Sequence, residues 1–158
     1  MTRARVFEEM RGLSAATKTD LSRTLTEGIG RGLNPREIAE NIVERTGVNA
    51  SRASTIARTE ITTALRRAKW DESEIARESY GMTTMEMHLS ALSPTTRPEH
   101  AKRHAHLYTV EEVRDWWAKD ANSINCKCST TSVMVDDNGD PLVPAIVERA
   151  KAAMKKRK

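Results

Sequence analysis

Histidine and cysteine, the residues best suited to bind a metal or move a proton, are confined to the stretch from His88 to Cys128 of this 158-residue chain. His100 and His104 are four residues apart, so on a helix they would share one face. Cys126 and Cys128 are two apart, so on a strand they would also share a face. Two nitrogen and two sulfur ligands are typical of zinc. The spacing therefore predicts a structural zinc site formed by His100, His104, Cys126 and Cys128.

Other interpretations of the same residues stay open. Cys-x-Cys is tighter than the Cys-x-x-Cys spacing of common zinc fingers, and the two cysteines could instead be small buried residues with His100 hydrogen-bonded nearby. A disulfide between them would close a very tight ring, so free thiols or metal-bound thiolates fit the spacing better. His88 and His106 are alternative ligands, although His88 fits a solvated strand face equally well.

The composition predicts a soluble, helix-rich protein. Hydrophobic residues make up 38% of the chain and aromatic residues only 4%, so the core must be built mainly from aliphatic side chains. No apolar run is long enough to cross a bilayer, and the N-terminus lacks the apolar segment of a signal peptide. We therefore expect synthesis in the cytoplasm and no association with a membrane.

The positive charge of the chain, a net +4, is concentrated at its C-terminus. Residues 151–158 contain five basic residues and no acidic one. Such a tail would bind phosphate groups non-specifically, with a strong dependence on salt, although a solvated terminus fits the same composition. The candidate DNA-binding residues are Lys151, Lys155, Lys156, Arg157 and Lys158.

The N-terminal part of the chain is predicted to be helical. Residues 3–29 place apolar side chains at helical spacing, with an interruption or restart at Ser14 or Thr17. Gly28, Gly30 and Gly32 then indicate a helix end and turn, because no Lys-Ser or Lys-Thr follows them as a phosphate-binding loop requires.

Two further helices follow. Asn34 and Pro35 are typical of a helix start, and that helix should end near Gly47. A long helix is predicted from about Ser51 to Ser79, with a narrow, alanine-rich apolar stripe that a second helix could approach closely.

The second half of the chain has the pattern of a small β-containing unit. Met85, Met87 and Leu89 alternate with polar residues, which predicts a half-buried strand. Thr109 and Glu112 form a capping box for a helix. The remaining predicted elements are a loop over 93–98, a short helix from Pro98, a strand over 128–135, a turn over 137–140 that pairs this strand with Leu142 and Val143, and a final helix from Pro144.

These elements predict an α+β fold that is predominantly α. Helices come first, including one long helix, and a small antiparallel β-containing unit and a C-terminal helix follow. We predict three regions: N-terminal amphipathic helices over 1–48, a core with the His/Cys site over 49–143, and a C-terminal helix with the basic tail over 144–158.

The order of several short motifs resembles a known family. Ala57-Arg-Thr-Glu-Ile61 lies within the predicted long helix, Thr96-Arg-Pro-Glu-His100 follows the first strand, and Asn125-Cys-Lys-Cys128 leads into the second. This order, spread over roughly Asn34 to Val135, resembles the phage Mu protein F-like head-morphogenesis family of tailed bacteriophages. The chain departs from the family at Ser93-Pro94-Thr95, where an Asp usually precedes the Thr-Arg, at Met87-His88, where a Trp is common, and at Asn122–Asn125, where the family approaches its Cys-x-Cys with Pro and His.

The resemblance implies a minor capsid protein of a phage virion, assembled in the host cytoplasm and located inside the head near the portal. Such a protein would contact the portal protein, other head proteins and packaged double-stranded DNA, would be oligomeric within the virion, and would aid head assembly and DNA packaging or ejection. The residues that match the family's site are His100, Cys126 and Cys128, with His104 at a more variable position.

An enzymatic function is the alternative. His100, His104 and a metal could form a hydrolase, most plausibly a nuclease, but this would need an open coordination position and a nearby carboxylate. The local acids, Glu99 and Asp115, have no placement that the sequence determines, and two thiolates favour a closed structural site. We therefore expect a virion assembly protein without enzymatic activity.

Overall fold

A computed structural model describes residues 11–156, which form two compact units, 11–63 and 64–156. As predicted, the fold is α+β and predominantly helical. The first unit contains α1 (Ala15–Gly30), α2 (Pro35–Thr46) and the start of α3 (Ala50–Tyr80). The second contains the rest of α3, β1 (Thr84–Leu89), α4 (Pro98–Lys102), β2 (Leu107–Tyr108), α5 (Val110–Ala118), β3 (Ser129–Met134) and α6 (Pro144–Lys155). No helix in the described part of the chain is long and apolar enough to span a membrane.

Local capping determines where the first helices begin. Ser14 caps α1 by accepting a hydrogen bond from the backbone N–H of Thr17, which confirms a helix start at Ser14. The predicted helical residues before Arg11 lie outside the described part of the chain. Asn34 and Glu37 form a reciprocal capping box at α2, and Gly47 ends that helix in the left-handed conformation, φ 69°.

The core of the first unit is aliphatic. α1 contributes Leu21 and Leu25, α2 contributes Ile38 and Ile42, and the start of α3 contributes Ala53 with its neighbours Ile56 and Ala57. Gly28 lies where α1 and α2 approach closely, because a Cβ atom there would be 2.6 Å from the Ile38 Cγ1 atom. Most of the apolar side chains of these helices are thus buried against each other.

The second unit is built around a three-stranded antiparallel sheet in the order β2-β1-β3. β2 is only two residues long and was not predicted, whereas β1 and β3 were. β3 begins one residue after Cys128. Beyond it the pairing continues through a single bridge, Val135 to Pro141, and through hydrogen bonds from the Leu142 N–H to the Met134 carbonyl and from the Asp136 N–H to the Asp140 carbonyl. The predicted hairpin at 137–140 therefore forms as a turn with minimal strand pairing.

β1 is the central strand, and both of its faces are covered. On one face Met87 packs with Ala105 and Val133 beneath α6. The prediction that the other face would be solvated is wrong: Glu86 and His88 are completely buried. The alternating pattern predicts a half-buried strand, but here Ser73 of α3 contacts Glu86 and Trp117 of α5 stacks on His88, so the polar face is covered as well.

The polar face of β1 is hydrogen-bonded to the second half of α3. The Ser73 hydroxyl donates to Glu86 Oε1 at 2.8 Å, and the Ser132 hydroxyl donates to the same oxygen at 2.7 Å. One turn earlier, the Trp70 indole N–H donates to the Thr130 hydroxyl at 3.0 Å. These bonds fix the helix on the sheet and supply acceptors and donors to groups that would otherwise be buried without partners.

Candidate metal centre

Arg97 brings the histidine and cysteine segments together. This residue immediately precedes α4, which carries His100, and its guanidinium donates hydrogen bonds of 3.0–3.1 Å to the carbonyls of Ala121, Asn122 and Ile124. Those three carbonyls belong to the turn that leads into Cys126. The planar guanidinium presents its N–H donors in a fixed fork, a geometry that the flexible ammonium of a lysine does not reproduce. The sequence motif contains Arg97, but its spacing did not indicate this role.

His100, Cys126 and Cys128 converge on one point. His100 Nδ1 lies 3.4 Å from Cys126 Sγ and 3.6 Å from Cys128 Sγ. All three ligand atoms lie within 4.8 Å of one another, and all three side chains are buried. Both cysteines are free thiols, in agreement with the argument against a tight disulfide ring. The structure therefore assembles three of the four predicted ligands.

The two sulfur atoms are chemically unequal. The Cys128 N–H donates to Cys126 Sγ at 3.4 Å, while Cys128 Sγ lies 3.7 Å from the Ser90 hydroxyl oxygen. The hydrogen bond from the Cys128 side chain lowers the pKa of Cys126, with a further contribution from His100. The same interaction, together with burial, raises the pKa of Cys128. Cys126 is the sulfur whose anionic form the surroundings favour.

His104, the fourth predicted ligand, lies apart from this group. α4 ends at Lys102, so His100 and His104 do not share a helix face. His104 Nδ1 accepts a hydrogen bond from the Ser90 N–H at 3.1 Å, and its Nε2–H donates to the Ala150 carbonyl at 2.8 Å. Both ring nitrogens are thus occupied in joining β1 to α6, which is a structural role.

The two alternative ligands also lie outside the group. His106 is exposed, at the turn that leads into β2. His88 is buried and stacks on the Trp117 indole, with ring centroids 4.9 Å apart and an interplanar angle of 3°. Burial, with a smaller effect of Arg103, lowers the pKa of His88 to about 3, so this side chain is neutral at physiological pH. The expectation of a solvated His88 is wrong.

Aromatic rings and arginines enclose the His/Cys group. The His100 ring is T-shaped against the Trp116 indole, 4.7 Å between centroids. The Arg103 guanidinium lies 4.3 Å from the Trp116 ring centroid, and the buried Arg66 lies 4.7 Å from that of Trp117. Arg66 also donates to the Cys128 carbonyl at 3.0 Å. These partners come from three different helices and loops, so sequence spacing contained no signal for them.

A cavity of about 260 Å³ opens next to the group. His100, Cys126 and Cys128 all line it, together with the loop after β1 and the residues beside the cysteines. The loop contributes hydroxyl groups from Ser93, Thr95 and Thr96. No aspartate or glutamate is among the described residues that line the cavity.

The described basic C-terminal residues do not line this cavity. Lys151 and Lys155 belong to α6, Lys156 caps it, and all three are exposed. Lys151 pairs with Glu148 one turn earlier, 3.2 Å between the charged atoms. Arg157 and Lys158 lie outside the described residues.

Comparison with known proteins identifies the family of this chain. No curated protein and no solved structure matches it. The family model described as phage Mu protein F like protein, in contrast, matches residues 19–131, which include most of the first unit and the whole His/Cys group. The match covers well over half of the sequence and agrees with the order of motifs at Arg58, His100 and Cys126–Cys128. The chain belongs to the phage Mu protein F-like family of phage head morphogenesis proteins.

Proposed function

We propose that this protein is a minor capsid protein of a tailed phage, located inside the head near the portal, where it aids head assembly and DNA packaging or ejection. Membership of the family, through the match over residues 19–131, is the observation that carries this proposal. The nuclease alternative gains no support from the site, because the described lining of the cavity supplies no carboxylate to act as a general base.

Exposed apolar surface supports a role in assembly. Leu65 and Ile75 are 64% and 59% exposed on α3. In the first unit, α2 and the start of α3 border an open groove of about 570 Å³ with Ala39 and Val43 in its lining. We propose that the portal or further copies of this chain cover this groove and the exposed part of α3.

The assembly role predicts that the protein is found in phage heads. A tagged copy expressed during phage growth should migrate with heads in a density gradient, at few copies per particle, and should cross-link to the portal protein. Deleting the gene should leave heads that assemble incompletely or contain less DNA. A protein that stays in the soluble fraction while gene-deleted heads fill and infect normally would contradict the proposal.

The basic C-terminus predicts salt-dependent DNA binding. Deleting residues 151–158, or changing Lys151, Lys155 and Lys156 together to Gln, should weaken binding to double-stranded DNA at low salt. The physical reason is that fewer counterions leave the DNA when fewer of its phosphates are neutralised by the protein. The slope of log K against log salt should become shallower by about 0.9 for each phosphate that is no longer neutralised. Filter binding over a salt series measures this slope.

A variant with the same change in charge elsewhere is the control. Arg23, Arg31 and Arg36 are exposed in the first unit, and changing all three to Gln removes three positive charges from that unit. This variant should retain most of the salt slope. An equal reduction of the salt slope in both variants would show that net charge, and not the C-terminal surface, determines DNA binding.

A further inference from the structure

We propose that His100, Cys126 and Cys128 bind one zinc ion through three side chains and leave its fourth coordination position open to the adjacent cavity, where water or a small exchangeable anion binds. This differs from the closed four-ligand site that the spacing of the sequence predicts. It does not depend on the proposed role in the phage head.

The two distances from the His100 nitrogen to the cysteine sulfurs fit a tetrahedral zinc site. With Zn–S of about 2.3 Å and Zn–N of about 2.0–2.1 Å, the N–S edge of a tetrahedron is about 3.6 Å. His100 Nδ1 lies 3.4 Å from Cys126 Sγ and 3.6 Å from Cys128 Sγ. The distance from this nitrogen to each sulfur is thus close to the N–S distance that a tetrahedral zinc ion requires.

The surroundings hold these atoms in place before a metal binds. Arg97 fixes the turn before Cys126 through three hydrogen bonds to carbonyls, and the Trp116 ring packs against His100. The Cys128 N–H donates to Cys126 Sγ, the kind of bond that orients a ligand and tunes its basicity. Two thiolates would neutralise the charge of Zn²⁺, so the buried site with water in the fourth position would carry no net charge, and Lys127 in the cavity lining could balance an anion that replaces the water.

A fourth ligand from the described part of the chain has no obvious source. His104 uses both ring nitrogens in bonds to Ser90 and Ala150. His88 is held in the stack on Trp117, and His106 is exposed at the turn before β2. No acidic side chain is among the described residues that line the cavity. Among these residues, the group of potential ligands within reach of one another consists of three side chains.

The cavity determines the class of the fourth ligand. Its volume of about 260 Å³ holds several water molecules, since water occupies about 30 Å³ in the liquid. Its hydroxyl groups on Ser93, Thr95 and Thr96, with Lys127 also in the lining, suit a small hydrated anion better than an apolar ligand. Three protein ligands with one position left for solvent is the arrangement of zinc sites that exchange their fourth ligand.

Metal analysis of the purified, reduced protein tests the three ligands. We expect one zinc per chain, and a loss of zinc affinity of more than about 100-fold in each of Cys126→Ser, Cys128→Ser and His100→Asn, a larger loss than is usual when only a supporting residue is changed. His106→Asn should bind zinc like the unchanged protein. His104→Gln should also retain zinc. If its zinc affinity fell as far as that of Cys126→Ser while circular dichroism showed the same helix content, the site would be a closed four-ligand site and the proposal would be overturned.

Cobalt substitution tests the open position and does not depend on any variant. The unchanged protein loaded with Co²⁺ should show thiolate-to-metal charge-transfer bands and the visible bands of a four-coordinate ion. Adding azide, a small anion that can replace water, should shift the visible bands and leave the charge transfer from both thiolates in place. Visible bands that azide does not move would show a closed site, and a protein that takes up neither Co²⁺ nor Zn²⁺ when reduced would show that S–H···N hydrogen bonds alone hold the group together.

Discussion

Replacing Trp117 by Ala should lower the free energy of unfolding by about 3–5 kcal/mol, the range usual for removing a large buried aromatic side chain. Trp117 is only 3% exposed, and at least four side chains pack against its ring, among them Trp116 with its ring centroid at 5.1 Å. His88 stacks on it at 4.9 Å, the Trp70 ring lies at 5.6 Å, and the Arg66 guanidinium lies at 4.7 Å. The substitution would therefore leave a cavity and also remove the packing partner of a buried imidazole and a buried guanidinium.

Trp117→Ala should lower the free energy of unfolding by more than the lost side-chain volume alone predicts, because His88 packs against this ring. Neither ring nitrogen of His88 has a hydrogen-bond partner in the described structure, so its place in the core depends on ring packing. Trp117→Ala would remove the ring on which the His88 imidazole stacks, and this loss of packing adds to the loss of side-chain volume. Trp117→Phe, which keeps a ring in this place, should lose much less stability than Trp117→Ala.

Urea unfolding followed by far-UV circular dichroism measures these differences. Tyr80→Ala is a suitable control, because Tyr80 ends α3 and its side chain is 78% exposed. Its free energy of unfolding should change by no more than about 0.5 kcal/mol, as is usual for surface positions. If Trp117→Ala were no more damaging than Tyr80→Ala, the stack of His88 on Trp117 would not be part of the stable core.

The elements that the sequence predicted well are those determined by neighbouring residues. The capping boxes of Asn34 with Glu37 and Thr109 with Glu112 both form, because each consists of side chains three residues apart that bond to adjacent backbone. The proline at the start of α6 marks its first residue for the same reason. These local signals were also sufficient to predict the predominantly helical α+β class.

The faces of β1 could not be predicted in this way. Glu86 and His88 look solvent-facing in an alternating pattern, yet they are buried because residues distant in the sequence cover them, among them Ser73, Ser132 and Trp117. Alternation of polar and apolar residues indicates a strand with one polar and one apolar face, but it does not indicate which of these faces other elements will cover. Polar residues on α3 that match the polar strand would have been the signal to look for.

The candidate site was predicted only in part, for a similar reason. The residue types and their spacing in the sequence predict Cys126, Cys128 and His100 as ligands, and these three lie together in the structure. The four-residue spacing predicts His104 as a zinc ligand only if the helix that carries His100 continues to His104. That helix ends at Lys102, and the His104 side chain bonds to α6 instead. The length of a short helix depends on tertiary contacts, which a four-residue spacing does not report.

The close approach of α1 and α2 at Gly28 predicts the second large effect. In Gly28→Ala the new Cβ atom would lie 2.6 Å from Ile38 Cγ1 and 2.8 Å from Cδ1, and Ile38 is completely buried, so it cannot move aside freely. Overpacking of this kind costs about 1–3 kcal/mol, while Ala gains up to about 1 kcal/mol over Gly within a helix. We expect a net loss of about 1–2 kcal/mol in the free energy of unfolding, measured by urea unfolding and far-UV circular dichroism.

Gly30 offers a matched control two residues further along the same helix. Nothing lies within 4 Å of a Cβ atom placed there, so Gly30→Ala should leave stability unchanged or raise it by about 0.5 kcal/mol, the opposite sign to Gly28→Ala. A double-mutant cycle then locates the cause. Ile38→Ala alone should cost about 2–5 kcal/mol by creating a cavity, but adding Gly28→Ala to it should cost little, since both clashing atoms are gone. If the double variant lost as much free energy of unfolding as Gly28→Ala and Ile38→Ala lose together, the proximity of Ile38 would not be the reason that position 28 requires glycine.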